Sequence, residues 1–139
     1  MIKELYDKYK EIINYLIFGA LTTLINLLTY YILIITIFNP NNKIELQITN
    51  IIAWIISVTF AYITNKLFVF NSKEQNIKKE VIKFYSSRIS TLLVEIILMY
   101  IFVSTLKYND KIIKIITNII IIILNYIISK LLVFQKRIK

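Results

Sequence analysis

With 58% of its 139 residues hydrophobic, the chain holds about four stretches of the ~20 apolar residues that cross a bilayer. One Gly and one Pro leave few loops to punctuate, which excludes an ordinary soluble domain. The absence of Cys and His removes disulfides, thiol nucleophiles, the commonest soft-metal ligands and His-based triads, and a net charge of +9 beside long charge-free runs points to anionic lipid rather than nucleic acid.

From the first residue, Ile2, Leu5, Tyr6, Tyr9, Ile12 and Ile13 recur at helical spacing against Lys3, Glu4, Asp7, Lys8 and Lys10. That pattern predicts an interfacial amphipathic helix. The apolar run after it is too long for a cleaved signal and lacks a small-x-small site, so it is expected to stay in the mature protein. No charge occurs from Ile12 to Asn42 or from Leu46 to Asn65, which predicts two spans at about residues 14–38 and 46–67. Ile77, Val81 and Phe84 against Lys78, Lys79, Glu80 and Lys83 predict a second interfacial helix. Spans at about 84–106, holding Arg88 and Glu95, and 113–133, holding Lys130, complete the chain. Transmembrane strands would alternate and be shorter, so the fold class is an all-α integral membrane protein with four transmembrane helices in one membrane domain.

Orientation follows from the short connections. Lys3, Lys8 and Lys10, then Lys66, Lys73, Lys78, Lys79 and Lys83, then Lys130, Lys136, Arg137 and Lys139 put twelve cations on one side. Lys43, Lys107, Lys111 and Lys114 put four on the other. Both termini are expected on the cytoplasmic side of the cytoplasmic (inner) membrane of a prokaryote.

The sequence repeats itself. Lys10-Glu11-Ile12-Ile13-Asn14-Tyr15 matches Lys79-Glu80-Val81-Ile82-Lys83-Phe84 at a shift of 69 residues, which also aligns Thr22 with Thr91 and Tyr31-Ile32 with Tyr100-Ile101. Ile48 to Ile52 recurs as Ile116 to Ile120 at a shift of 68, and Lys66-Leu67-Phe68-Val69-Phe70 as Lys130-Leu131-Leu132-Val133-Phe134 at a shift of 64. The fourth helix is thus expected to be about one turn shorter. Two hairpin repeats, about 1–70 and 75–139, follow, each an interfacial helix and two spans. Since each crosses an even number of times, they are expected in parallel orientation about an axis along the membrane normal.

The repeats differ in charge: Gly19 answers to Arg88, and Asn26 to Glu95. Gly19 either leaves room for the Arg side chain and an anion or permits close helix packing. Lys66, Arg88 and Lys130 each stand about one turn inside a cytoplasmic boundary, where a charge must snorkel or find a partner. Both lysines can snorkel. Arg88, with a planar fork suited to phosphate or carboxylate, is the stronger binding candidate, and three cations at one depth favour an anionic headgroup. Glu95, roughly 10 Å deeper than Arg88 by helical rise, is either a charge partner of Arg88 or of a cation on another helix, or a proton carrier. Asn65 and Asn125 either donate to a ligand or join helices.

Tyr15-Leu16-Ile17-Phe18-Gly19, Ser57-x-x-x-Ala61-x-x-x-Asn65-Lys66-x-x-Val69-Phe70, Phe84-x-x-x-Arg88, and Asn125 with Lys130-x-x-Val133-Phe134 together resemble the GtrA-like family of small four-span membrane proteins. The resemblance covers nearly the whole chain. It implies translocation of a polyprenyl-phosphate-linked monosaccharide across the membrane for glycosylation of surface polysaccharide or teichoic acid, and roles for Ala61, Asn65, Val69, Phe70, Phe84, Arg88, Lys114 and Asn125. Ser129, where the first repeat has Asn65, departs from the pattern. Under this expectation Asn65, Lys66, Arg88 and Lys130 hold the lipid phosphate on the cytoplasmic side, with Asn125 one turn from Ser129 completing the second repeat's site, and Lys114 receives it outside. Such a carrier is no enzyme and calls for no cofactor; there is no Gly-rich nucleotide loop. Two alternatives stand beside it: a proton-coupled exporter of cationic compounds resting on Glu95, and a non-transporting adaptor for a membrane glycosyltransferase. The small volume inside four short helices favours a homodimer.

Overall fold

The computed structural model describes residues 1–134; Lys136, Arg137 and Lys139 of the charge count, and the end of the second repeat, lie outside them. The described residues are helical throughout apart from short connections: α1 (Ile2–Thr36), α2 (Lys43–Thr64), α3 (Ile77–Met99) and α4 (Asp110–Ile128). Each of α2, α3 and α4 runs on into a π-helical segment, Asn65–Val69, Tyr100–Thr105 and Ser129–Val133 respectively. All four helices are long and apolar enough to cross a membrane.

Local chemistry sets most helix ends. The side chain of Asn42 accepts from the N–H groups of Ile44 and Glu45, that of Asn76 from Lys79, and that of Asn109 from Lys111 and Ile112, which satisfies donors that a helix start otherwise leaves bare. Every helix also carries an acid in its first turn, Glu4, Glu45, Glu80 and Asp110, where the helix dipole favours negative charge. Pro40 follows Asn39 in the first connection, and a residue before proline is disfavoured in helix. Glu45 closes that connection by accepting from the Asn39 N–H at 2.6 Å and from Asn42 Nδ2 at 3.3 Å. Asn71 and Lys107 adopt left-handed φ values of 47° and 60°, the first at a residue type that tolerates them.

The helices begin earlier than the sequence pattern suggested. Residues 2–13 run without a break into the first span as the opening turns of α1, and Asn14, a residue type that can cap a helix, does not interrupt them. The second amphipathic segment is likewise the start of α3. At 35 residues, α1 extends about 52 Å at 1.5 Å per residue, well beyond the hydrocarbon core.

The chain divides into two compact units, Met1–Asn71 and Ser72–Lys139. In the first, α1 packs along α2. Asn26 Nδ2 donates to Ser57 Oγ at 3.2 Å, Tyr15 and Phe70 meet with ring centroids 6.4 Å apart, and Phe18 stacks on Phe68 at 5.3 Å. Thr49, Ala53, Ser57, Ala61 and Asn65, spaced by four, are all buried; small side chains on one side of a helix let backbones approach closely. In the second unit α3 packs along α4, with Phe84 against Phe134 at 5.8 Å. Helix α4 with its π-helical end has 24 residues against 27 for α2 with its own, close to one turn less.

Candidate functional site

The Lys-x-x-Val-Phe ends have the same local structure. After Asn65, whose N–H bonds the carbonyls of Ala61 and Tyr62, the turn widens, and the Phe70 N–H reaches the Asn65 carbonyl at 2.9 Å. After Ser129 it widens in the same way, and the Phe134 N–H reaches the Ser129 carbonyl at 2.8 Å. In both, the Val and Phe are buried, Val69 with Phe70 and Val133 with Phe134. Lys66 is half-buried and Lys130 exposed. π-helical turns are frequent at functional positions; the third one among the described residues, Tyr100–Thr105, has no buried residue.

Each widened turn starts on a buried polar side chain with an unsatisfied atom. Asn65 donates through Nδ2 to the Ala61 carbonyl at 2.7 Å, but its Oδ1 has no partner among the described residues. Ser129 is fully buried, and its Oγ likewise has none. Other helical hydroxyls, those of Thr22, Thr59, Ser87 and Ser90, donate back to the carbonyl three or four residues earlier. Buried polar atoms are rarely left unpaired, so these two are openings for a hydroxyl, an amide or a water.

Arg88 is half-buried on α3. Its guanidinium lies over the Phe84 ring, 4.6 Å from the centroid, and Phe84 is 0% exposed. The cation–π contact holds the guanidinium against the ring, and its five N–H donors suit planar recognition of an anion. Among the described residues no acceptor or carboxylate meets it. Lys130 Nζ lies 3.5 Å from the Tyr126 hydroxyl and 5.7 Å from the centre of the same ring.

Glu95 is paired, but not with Arg88. Its carboxylate forms an ion pair with Lys114 on α4. Seven residues along one helix separate Glu95 from Arg88 by about 10 Å, whereas α4, packed alongside, brings a lysine to it. Asn125 also serves a helix contact: its Oδ1 accepts from the Thr91 hydroxyl at 2.8 Å. Arg88, Thr91 and Glu95 follow one another at three and four residues on α3, so the spacing already placed Thr91 between the two charges as the natural contact for α4. At Gly19, an added Cβ would meet nothing within 4 Å, so α1 and α2 do not pack closely on it.

Of the sequence-derived site residues, Asn65 and Lys66 lie in the first unit, and Arg88, Glu95, Lys114, Asn125 and Lys130 in the second. Two residues outside that set prove notable. Glu80, on the predicted polar face of α3, is 2% exposed and accepts from the Ser72 hydroxyl at 2.5 Å. Thr91 is buried as well. Among the described residues no cluster of three acidic side chains is placed to hold a metal.

The sequence profile of the family described as GtrA/DPMS, transmembrane domain, matches residues 14–134. An uncharacterized membrane protein of Bacillus subtilis, YwcD, is 40% identical over 125 residues, covering 88% of this chain and 94% of that protein. The cell wall teichoic acid glycosylation protein GtcA of Listeria monocytogenes serovar 1/2a is 38% identical over 132 residues, covering 93% of this chain and 88% of the relative. The protein of the same name from Listeria innocua is 40% identical over 134 residues, covering 94% and 89%. No solved structure matches the chain.

Proposed function

The chain belongs to the GtrA/DPMS transmembrane-domain family, and we propose that this multi-pass membrane protein serves cell-wall glycosylation by carrying a polyprenyl-phosphate-linked monosaccharide across the cytoplasmic membrane. The observation that supports this most is Arg88. An arginine inside a span is expensive unless something compensates it, and among the described residues its guanidinium meets only the Phe84 ring. A phosphate group is the anion best matched to that fork. The teichoic acid glycosylation of two relatives makes a lipid-linked sugar the phosphate-bearing molecule of choice.

In this mechanism Arg88 and Lys130 of the second unit attract the lipid phosphate at the cytoplasmic end; in the first unit, Asn65 Oδ1 and Lys66 are groups that can accept from a hydroxyl and attract an anion. Lys114 meets the phosphate towards the outer end. Both termini and the 71–76 connection face the cytoplasm, in line with the twelve-to-four distribution of Lys and Arg. The chain acts as a carrier and not as an enzyme. A proton-coupled exporter is disfavoured, because Glu95, the acid on which that reading rests, is held by Lys114.

Two experiments test this. Purified protein in lipid vesicles should exchange a fluorescent short-chain polyprenyl-phosphate sugar between leaflets; vesicles that exchange it no faster than empty ones would leave the adaptor for a glycosyltransferase as the better account. Single cysteines at Gln75 and Tyr108 in intact cells should react with an impermeant thiol reagent at 108 and not at 75, and the opposite pattern would reverse the orientation.

A further inference from the structure

The lysine proposed to meet phosphate at the outer end, Lys114, is engaged by Glu95. A carboxylate beside an anion-binding lysine weakens binding, so its presence needs a reason. Holding the helices together is not a sufficient one. The first unit joins α1 to α2 through Asn26 Nδ2 and Ser57 Oγ, two neutral groups at 3.2 Å, and Asn26 is the residue that stands 69 positions before Glu95. The second unit has its own neutral contact as well, Thr91 with Asn125 at 2.8 Å, one turn along the same face of α3. An ion pair is weak evidence for stability, since desolvation offsets its attraction.

Exposure points the same way. The Lys114 side chain keeps 51% of its surface and that of Glu95 21%, so the pair sits at the rim of the unit and can separate without unpacking it. A lysine in a span without a counter-charge is costly, and a lysine bound to phosphate with no competitor would be slow to let go.

We infer that Glu95 is a positioning residue for passage of the phosphate: it holds Lys114 while no lipid is bound, yields it to the phosphate, and takes it back on release. Lys114 then exchanges one anionic partner for another and is never unpaired. The freed carboxylate repels the bound phosphate and hastens its departure. This rests on the proposed phosphate-carrying function, and it assigns Glu95 an influence on affinity and rate of opposite sign.

The test uses the full chain, with farnesyl phosphate as the probe for binding in detergent and its fluorescent derivative for leaflet exchange in vesicles. Glu95→Gln should accumulate, bind farnesyl phosphate about 3–10-fold more tightly, the range given by roughly 0.7–1.4 kcal/mol, and exchange it more slowly than wild type. Glu95→Asp should restore wild-type affinity and rate. The double change Glu95→Gln with Lys114→Gln should lose the tightening, because the gain depends on the lysine. Inorganic phosphate is run in parallel: tightening confined to farnesyl phosphate assigns the exchange to the lipid, and equal tightening for both assigns it to phosphate in general. Unchanged or weaker binding by Glu95→Gln overturns the inference. So does loss of Glu95→Gln protein that the double change restores together with wild-type binding and exchange, which is the behaviour of a purely structural pair. Failure of the wild-type chain to bind farnesyl phosphate at all would instead remove the phosphate-carrying function itself.

Discussion

The two units agree where they are apolar and differ where they are polar. Tyr15 meets Phe70 in the first and Phe84 meets Phe134 in the second, with both pairs beside a widened turn that starts on a buried, partly unsatisfied side chain. Between those ends the first unit has exposed Gly19 and the neutral Asn26–Ser57 contact, and the second has Arg88 on the Phe84 ring and the Glu95–Lys114 ion pair. A shared apolar frame with unequal charge separates what holds each hairpin together from what is available to a ligand. The second unit carries the Arg88 guanidinium and the ion pair inside its helices, and the first shows what the frame needs without them.

The largest effect is expected from exchanging the residues that differ most. Arg88→Ala should abolish surface-polymer glycosylation at matched membrane abundance, and Arg88→Lys should lose most of it, since a point charge cannot reproduce bidentate contact. Gly19→Ala should leave glycosylation and abundance unchanged, because the added methyl meets open space. Normal glycosylation in Arg88→Lys would remove the bidentate role and much of the contrast between the units.

Next come the ring pairs. Phe84 and Phe70 are 0% and 2% exposed, so Phe84→Ala and Phe70→Ala should each destabilise the protein by about 3–5 kcal/mol, read as a lower midpoint of thermal unfolding in detergent. Equal losses would support a common frame. A loss confined to Phe84 would mean that its stack with Arg88, rather than its packing on Phe134, accounts for its burial.

The smallest expected effect is the most informative about the widened turns. Ser129→Ala deletes a buried hydroxyl without a partner among the described residues, so stability should stay within about 1 kcal/mol of wild type. Asn65→Ala also deletes the Nδ2 bond to the Ala61 carbonyl and should be destabilising by roughly 1–2 kcal/mol. If Ser129→Ala keeps its stability but loses glycosylation, the hydroxyl meets the lipid headgroup.

Much of this architecture is legible without coordinates, for a physical reason. Water is absent from the bilayer core, so a span must be a helix or a strand of a closed barrel, and the charge-free gaps from Ile12 to Asn42 and Leu46 to Asn65, too long for strands, announce two helical spans. The same rule makes Arg88 and Glu95 conspicuous, because each stands out as an exception on an apolar helix. The helix starts were less legible: the amphipathic segments read as separate helices because polarity changes at Ile12, although nothing there stops a helix from continuing.

What only the tertiary structure decided is which exception meets which group. Glu95 had candidate cations on its own helix and elsewhere, and sequence separation alone cannot rank them. The packing of α3 along α4 brings Lys114 within bonding reach and Asn125 to Thr91, while it leaves Arg88 on an aromatic face. The widened turns at Asn65 and Ser129 belong to the same class, because a π-helical turn has no sequence code of its own. At Asn65 and Ser129 it lies beside buried Val69 with Phe70 and Val133 with Phe134, whereas at Tyr100–Thr105 it has no buried residue.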